Sequence, residues 1–259
     1  MISQTARVPA QPQLPDRRPI KARETRWARV VTDALIRLRV SPQSISASTM
    51  VFGALGAVAF AATTHVESHA ATAALFIAAA LCMQLRLLAN LFDGMVALGN
   101  GKPLNPTGAL WNEVPDRVAD ACFCIGAGYA LGGSVMLGWL AAVAAVFTAY
   151  VRAQGVAVGA RNDFCGPMAK PHRMALMTAT ALICAALPPR MLHLIGTAPL
   201  APGMYFRDLS FGTLISGGLI SGGLIAGALA LMVLGCVVTC ARRLQHIKAD
   251  LKHTRRHSV

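Results

Sequence analysis

Residues 86–120 read RLLANLFDGMVALGNGKPLNPTGALWNEVPDRVAD. The stretch contains two apolar segments that carry acidic and amide side chains, separated by a Gly-, Pro- and Asn-rich segment at 99–107 whose composition is typical of a loop. In each segment the polar residues recur at helical spacing, so they share one side of a helix. They are Arg86, Asn90 and Asp93 in the first segment and Asn112, Glu113, Asp116 and Asp120 in the second. We therefore expect an antiparallel helical hairpin in which two oxygen-rich faces meet.

The chain as a whole has the composition of a membrane protein. Of its 259 residues, 55% are hydrophobic and only 14% are charged, and the mean hydropathy is +0.53, whereas soluble domains carry about 25% charged residues. Apolar stretches close to the ~20 residues needed to cross a bilayer recur along the chain. We predict an all-α, polytopic membrane bundle of six transmembrane helices. The predicted spans are residues 44–64, 70–98, 109–131, 135–158, 172–194 and 214–240.

A further helix is predicted before the first span. Residues 26–39 place apolar side chains at helical spacing with arginines opposite, a pattern typical of an amphipathic helix in the membrane interface. Residues 1–25 lack the apolar core of a signal peptide and are predicted to be a disordered basic arm. The membrane domain is expected to span residues 26–245, followed by a basic cytoplasmic tail at 246–259.

The net charge of +13 is concentrated at the two ends of the chain. Basic residues that flank apolar spans mark cytoplasmic segments, so both termini are predicted to be cytoplasmic, in the inner or plasma membrane if the source is bacterial. The aromatic residues of a base-stacking surface are missing, and nucleic acid is not expected as a partner. The seven cysteines form no CxxC pair and mostly lie in apolar stretches, so neither a disulfide framework nor a zinc site is expected.

Only eleven residues are acidic, and four of them lie between 93 and 120. Ionisable side chains at membrane depth are costly and usually functional. Carboxylate and amide oxygens that converge without cysteine or a nearby histidine suit a hard cation such as Mg²⁺ or Mn²⁺. The candidate ligands are Asn90, Asp93, Asn112, Glu113 and Asp116. The acids also need positive charge to be tolerated, and a metal that carries a diphosphate would supply it.

The same residues resemble the signature of the CDP-alcohol phosphatidyltransferase family, which reads DxxDGxxAR, eight or nine residues, and then GxxxDxxxD. This chain has NLFDGMVAL at 90–98, nine residues, and GALWNEVPD at 108–116, with Asp120 one turn further. The six predicted spans, the interfacial helix and the sequence VSPQSIS at 40–46 are also similar to the family.

The chain departs from this signature at three positions. The first and third aspartates of the signature correspond to Asn90 and Asn112, and its arginine corresponds to Leu98. Two further acids, Glu113 and Asp120, would restore two carboxylates. The pattern is similar to a variant branch of the family with NxxDG and GxxxNExxD.

The resemblance implies transfer of a substituted phosphate from a CDP-alcohol, expected to be CDP-diacylglycerol, to the hydroxyl of a second alcohol, with release of CMP, in phospholipid biosynthesis. It also implies two Mg²⁺ or Mn²⁺ ions, a homodimer, and nucleotide-binding positions at Gly94, Ala97 and Gly108. Asp116, at the position of the last aspartate, would accept the hydroxyl proton, with Asp120 as the second candidate. An alternative register makes Asp116 and Asp120 the last two aspartates and requires four extra residues after Gly108.

Basic residues are candidates for binding the acceptor or a phosphate. They are Arg86, Arg152, Lys170 and Arg173. Arg86 lies within a span, where a cation usually has a functional role, and the others resemble the basic residues of the family's acceptor pocket. The acceptor stays open between glycerol phosphate, inositol or its phosphate, serine and a second phospholipid.

Two other functions stay open. The departures at Asn90, Asn112 and Leu98 motivate a divergent family member that binds lipid or a partner without catalysing the transfer. A small-molecule transporter is less favoured, because its charges would line a midplane pathway, whereas these acids cluster at one membrane face and the two halves of the chain show no repeat. Metal-dependent release of CMP separates an enzyme from both.

Overall fold

The computed structural model describes residues 25–99, 108–188, 192 and 223–257, and within these ranges the chain is helical with no strand. The helices are α1 (Arg26–Arg37), α2 (Pro42–Ala62), α3 (His69–Gly99), α4 (Gly108–Gly128), α5 (Val135–Ala157), α6 (Lys170–Ala186) and α7 (Leu224–His257). A 3₁₀ turn at Thr63–His65 follows α2. The predicted arm at 1–25 lies almost entirely outside the described residues, and most of the predicted hairpin loop at 99–107 does so as well.

Every predicted span coincides at least in part with a described helix, and four helices are long and apolar enough to cross a membrane. These four are Pro42–His65, His69–Gly99, Val135–Ala157 and Leu224–Lys252. The helix α6 has only 17 residues, and α4 carries Glu113, Asp116, Arg117 and Asp120. The structure therefore confirms an all-helical protein with several apolar helices, while the count of six spans and the orientation stay predictions.

The first helix packs on the C-terminal end of α3, the end that is predicted to be cytoplasmic. Ala28 is fully buried and belongs to a small apolar cluster with Phe92 and Val96 of α3. The Trp27 ring meets the Phe92 ring edge-on, with centroids 5.9 Å apart. A helix is thus present at the predicted position, and its location in the membrane interface stays a prediction.

Small residues let α2 and α4 approach each other closely. A Cβ added at Gly126 would lie 2.3 Å from the Cα of Ala57, and one added at Gly53 would lie 2.7 Å from the Cα of Ala119. Because lipid tails are as apolar as leucine, membrane helices associate largely through such close packing. This contact fixes α4 against α2 and so sets the position of the acids that α4 carries.

The last helix is longer than the sequence analysis predicted. The final span was predicted to end at residue 240, before a tail at 246–259, but α7 continues without interruption to His257. No Gly or Pro occurs between residues 236 and 257, and these are the residues that usually end a helix. Arg243 also ties this extension to the bundle, since its Nη1 donates to the carbonyl oxygen of Thr148 at 2.6 Å.

Candidate functional site

Asp120 lies at the centre of a buried ionic cluster. Its Oδ2 accepts a hydrogen bond of 2.8 Å from Nη2 of Arg173, and its Oδ1 accepts one from Nη2 of Arg86. None of the three side chains is more than 2% exposed. One carboxylate on α4 therefore binds a guanidinium from α3 and another from α6.

Asp116 joins the same helices one turn earlier. The amide nitrogen of Asn90 lies 2.6 Å from Oδ1 and 2.5 Å from Oδ2 of Asp116, and the Lys170 ammonium donates to Oδ2. Arg86 lies 3.3 Å from Oδ1 and also donates to the Asp116 carbonyl oxygen at 3.1 Å. The predicted meeting of the polar faces of the hairpin is therefore present, and α6 adds a cation to it.

Glu113 occupies the open side of the cluster, with 44% of its side chain exposed. It accepts hydrogen bonds from Arg117, at 3.0 Å, and from Arg152 on α5. The Arg152 guanidinium also lies over the Phe164 ring, 5.3 Å from its centroid. Through Arg152, Glu113 is connected to the loop between α5 and α6.

Asp93 is set apart from the other three acids by its partners. Its Oδ2 accepts a hydrogen bond of 2.7 Å from the Ser46 hydroxyl of α2, and its residue is only 5% exposed. Within the described parts of the chain, no Lys, Arg or His nitrogen forms an ion pair with it. Among the described residues, this buried carboxylate is therefore the one acid of the four without a cation in contact.

The four acids (Asp93, Glu113, Asp116 and Asp120) form what we call the acidic cluster. Five cations contact three of them, and these cations are Arg86, Arg117, Arg152, Lys170 and Arg173. The sequence analysis expected a metal to supply the positive charge, but the chain supplies most of it from α3, α4, α5 and α6. Most of these pairings join different helices, and those of Lys170 and Arg173 join the non-consecutive α4 and α6, so helical spacing alone did not reveal them.

The predicted metal ligands fit a hard cation to different degrees. The Asn112 Oδ1 is buried and has no hydrogen-bond partner among the described residues, and a buried unpaired oxygen needs an explanation such as an ion. Asp93 also lacks a cationic partner, so the two residues suit the oxygen chemistry of Mg²⁺ or Mn²⁺. The acids of the cluster do not bring three ligand atoms within 4.8 Å of one another in the described chain, so amide or substrate oxygens would have to complete the shell.

The predicted nucleotide-binding positions lie on both helices of the hairpin. Gly94 and Ala97 are half-buried on α3, next to Asp93. A Cβ added at Gly108, at the start of α4, would meet no atom within 4 Å, so the space beside it is open. These contacts do not test whether a nucleotide binds at the three positions, so the assignment stays a prediction.

Three side chains that contact the cluster were not singled out from the sequence. Ser46 binds Asp93, Arg117 binds Glu113, and the Thr148 hydroxyl accepts a hydrogen bond of 3.2 Å from Nη1 of Arg173. Arg117 is four residues after Glu113, a spacing that brings two side chains together on a helix. Ser46 and Thr148 carried no comparable signal, because their partners lie on other helices.

The described helices have the same fold as a solved phosphatidylinositol phosphate synthase. The solved structure that shows this is the crystal structure of phosphatidylinositol phosphate synthase (PgsA1) from Mycobacterium tuberculosis with CDP-DAG bound. It matches with a TM-score of 0.60 and 17% sequence identity, over 86% of this chain and 94% of that chain. The fold implied by the resemblance to the CDP-alcohol phosphatidyltransferases is thereby confirmed. No protein-family model and no curated protein sequence matches the chain.

Proposed function

We propose that the protein is an integral membrane CDP-alcohol phosphatidyltransferase of phospholipid biosynthesis. Its donor is a CDP-alcohol lipid, with CDP-diacylglycerol as the first choice, because the M. tuberculosis protein of the same fold binds CDP-DAG. The observation that carries the proposal is the contact of Asn90 with Asp116. It joins the two halves of the phosphatidyltransferase signature in one place, beside the buried carboxylate of Asp93, which forms no ion pair with a described residue.

In the proposed reaction the hydroxyl oxygen of the acceptor attacks the phosphorus that carries the lipid. A new P–O bond forms to the acceptor, and the P–O bond to the CMP phosphate breaks, so that CMP leaves with the electron pair. The hydroxyl proton passes to Asp116, whose carboxylate Asn90 and Lys170 hold in position. A base must lie within hydrogen-bond reach of the proton that it accepts, and Asp116 is on the side of α4 that faces α3 and α6.

Asp120 has a different role in this proposal. Each of its oxygens accepts a hydrogen bond from a buried arginine, and its side chain is 1% exposed against 7% for that of Asp116, so Asp120 is the less accessible of the two to a substrate hydroxyl. We therefore assign Asp120 as a positioning residue, which holds Arg86 and Arg173 in place behind Asp116.

A bound Mg²⁺ or Mn²⁺ would neutralise the diphosphate and the charge that develops on CMP. Asp93 and Asn112 are the residues that would hold it, with Asn90 and Glu113 as further oxygen donors. The number of ions, two by the resemblance, stays a prediction.

The acceptor or its phosphate would meet Lys170 and Arg152 first. Their side chains are 22% and 17% exposed, whereas those of Arg86 and Arg173 are 0% and 2% exposed. Of the four cations predicted to bind a phosphate, the two buried ones are thus committed to Asp120. The acceptor alcohol and the expected homodimer stay predictions.

The test is release of CMP by the full-length protein in detergent, with CDP-diacylglycerol, Mg²⁺ or Mn²⁺ and a panel of alcohols. We expect release that depends on the metal and on one acceptor, and that falls by about 10²- to 10⁴-fold in Asp116→Asn, the range that general acid–base groups contribute. Asp33→Asn, which changes an exposed aspartate on α1, is the matched control. Absence of CMP release from folded protein with every donor and acceptor would instead favour a divergent protein that only binds lipid.

A further inference from the structure

A second group of metal-ligand side chains lies outside the acidic cluster, at the cytoplasmic side predicted for the loop between α5 and α6. It consists of Asp163 and Cys165 from that loop and His246 from α7, and we call it the Asp–Cys–His cluster. The ligand atoms of the three side chains all lie within 4.8 Å of one another. No other set of three such residues meets this condition in the part of the chain that the structure describes.

One of the three distances between the ligand atoms matches a metal centre, and the other two are shorter, as in hydrogen bonds. Oδ2 of Asp163 lies 2.9 Å from Sγ of Cys165 and 2.8 Å from Nδ1 of His246, and Sγ lies 3.6 Å from that nitrogen. Zinc with bond lengths of about 2.0–2.3 Å in a tetrahedron keeps its ligand atoms roughly 3.3–3.8 Å apart. Small side-chain rotations would therefore open the cluster enough for an ion.

The backbone around Cys165 is fixed by contacts that do not involve the side chains of the three ligands. Nε of Arg243, one turn before His246 on α7, donates to the Cys165 carbonyl oxygen at 3.1 Å. Gly166 has φ +117°, a conformation that favours glycine, and a Cβ there would lie 2.4 Å from Cγ2 of Thr239. The Met168 amide donates to the Thr239 hydroxyl at 3.0 Å. The loop is thus held against the helix that carries the histidine.

We propose that Asp163, Cys165 and His246 bind a zinc-class divalent ion that fastens the α5–α6 loop to α7. A thiolate, an imidazole and a carboxylate together suit Zn²⁺, whereas Mg²⁺ prefers oxygen ligands alone. One thiolate and one carboxylate balance the two charges of the ion, so the neutral site is compatible with the neighbouring Arg243. The side chain of His246 is 59% exposed and that of Asp163 is 21% exposed, so the ion has access from solvent.

A nucleophilic role for the cysteine is disfavoured by its surroundings. Burial and the hydrogen bond to Asp163 raise the pKa of the Cys165 thiol to about 11, whereas reactive cysteines have a lowered pKa. Burial raises the pKa of Asp163, but hydrogen bonds from the Cys165 thiol, the Cys165 backbone amide and His246 outweigh burial and hold this pKa below its usual range. The cluster without an ion is therefore a set of hydrogen bonds around one carboxylate, and this arrangement is the alternative that an experiment must exclude.

The Asp–Cys–His cluster is connected to the acidic cluster through Arg152. Phe164, between two of the ligands, lies under the Arg152 guanidinium, and Arg152 donates to Glu113. If the proposed function holds, the ion would steady the acceptor side of the reaction. Binding of the ion is measured without any substrate, so its failure and the failure of the transferase proposal are distinguishable.

The experiment uses untagged full-length protein in detergent, treated with a chelator and then given Co²⁺ or Zn²⁺ in the presence of excess Mg²⁺. We expect one Zn²⁺ retained per chain and, with Co²⁺, the charge-transfer absorption that a thiolate ligand produces. Cys165→Ser should abolish this absorption, and Asp163→Asn and His246→Ala should each weaken Zn²⁺ binding by more than about tenfold. Cys122→Ser and His69→Ala are the matched controls and should bind like the unaltered protein.

Three outcomes overturn the proposal. The first is that the unaltered protein shows no thiolate absorption, and the second is that the absorption persists in Cys165→Ser. The third is that the Cys122 or His69 control variant loses as much metal binding as the ligand variants. Folding of each variant is checked by its thermal midpoint. Truncation of the exposed His246 side chain removes little packing, so this variant keeps the test decisive even if Cys165→Ser fails to fold.

Discussion

Arg173 on α6 donates a hydrogen bond of 2.8 Å from Nη2 to Oδ2 of Asp120 on α4, and neither side chain is more than 2% exposed. Arg86 of α3 contacts the other oxygen. A buried ion pair is weak evidence for net stability, but removing one partner leaves the other charge buried without compensation. The contact therefore makes Asp120 a residue on which the assembly of three helices depends.

Asp120→Asn should destabilise the protein, because it leaves the buried Arg173 guanidinium without its carboxylate partner and removes one of the two carboxylates that contact Arg86. Loss of one partner from a buried pair typically costs about 3–5 kcal/mol. Thermal unfolding in detergent measures the effect, with Asp33→Asn as the control because Asp33 is exposed on α1. If both variants unfold at the same temperature, the buried cluster contributes nothing to the fold.

Restoring the first aspartate of the signature should impair the protein. In Asn90→Asp the amide that donates to both oxygens of Asp116 becomes a second carboxylate, and two carboxylates in contact repel each other until one takes up a proton. We expect CMP release to fall by at least about tenfold, because the proposed base is then compromised.

Asn112→Asp is the matched change at the third aspartate of the signature. The hydrogen bonds that Asp116 accepts in the described part of the chain come from Arg86, Asn90 and Lys170 and not from Asn112, so Asn112→Asp should retain more activity than Asn90→Asp. The opposite order of the two activities would contradict the role given to the Asn90 amide.

Ser46→Ala should lower the affinity of the protein for the metal ion. The Ser46 hydroxyl is bonded to Asp93 at 2.7 Å, and loss of a partner that orients a metal ligand typically lowers metal affinity by about 10- to 100-fold. The concentration of Mg²⁺ that gives half-maximal CMP release should rise by that factor. Ser48→Ala is the control on the same helix, because its hydroxyl donates to the carbonyl oxygen of Ile45, and an equal rise in both variants would refute the role of Ser46.

Gly126→Ala should destabilise the bundle, since the new methyl group would lie 2.3 Å from the Cα of Ala57. Overpacking of this kind costs about 1–3 kcal/mol. Gly227→Ala on α7 should be neutral or stabilising, because a Cβ there meets no atom of the described residues within 4 Å and alanine favours a helix over glycine by about 1 kcal/mol. Thermal unfolding compares the two, and loss of stability in the Gly227 variant would indicate a further contact at that face.

Much of the candidate site was predictable because helical spacing is a local property. The positions of Asn90 and Asp93 on one helix, and of Asn112 and Asp116 on the next, follow from recurrence every three or four residues, and the structure joins the two helices through Asn90 and Asp116. Helix lengths were less predictable. The helix α7 continues to His257, and its Arg243 contacts the carbonyl oxygen of Thr148, 95 residues away, a contact that no local pattern records.

The sequence alone established an all-helical membrane protein, the hairpin at 86–120 and the carboxylates on it, because hydropathy and helical periodicity act between neighbours in the chain. Only the tertiary structure decided how the acids differ: Asp120 is enclosed by arginines, while Asp93 has a serine partner and no ion pair with a described residue. It alone brought Cys165 to His246, 81 residues further along. Such pairings depend on how non-consecutive helices pack, and that packing is set by close contacts such as those of Gly53 and Gly126 rather than by any local pattern of charge.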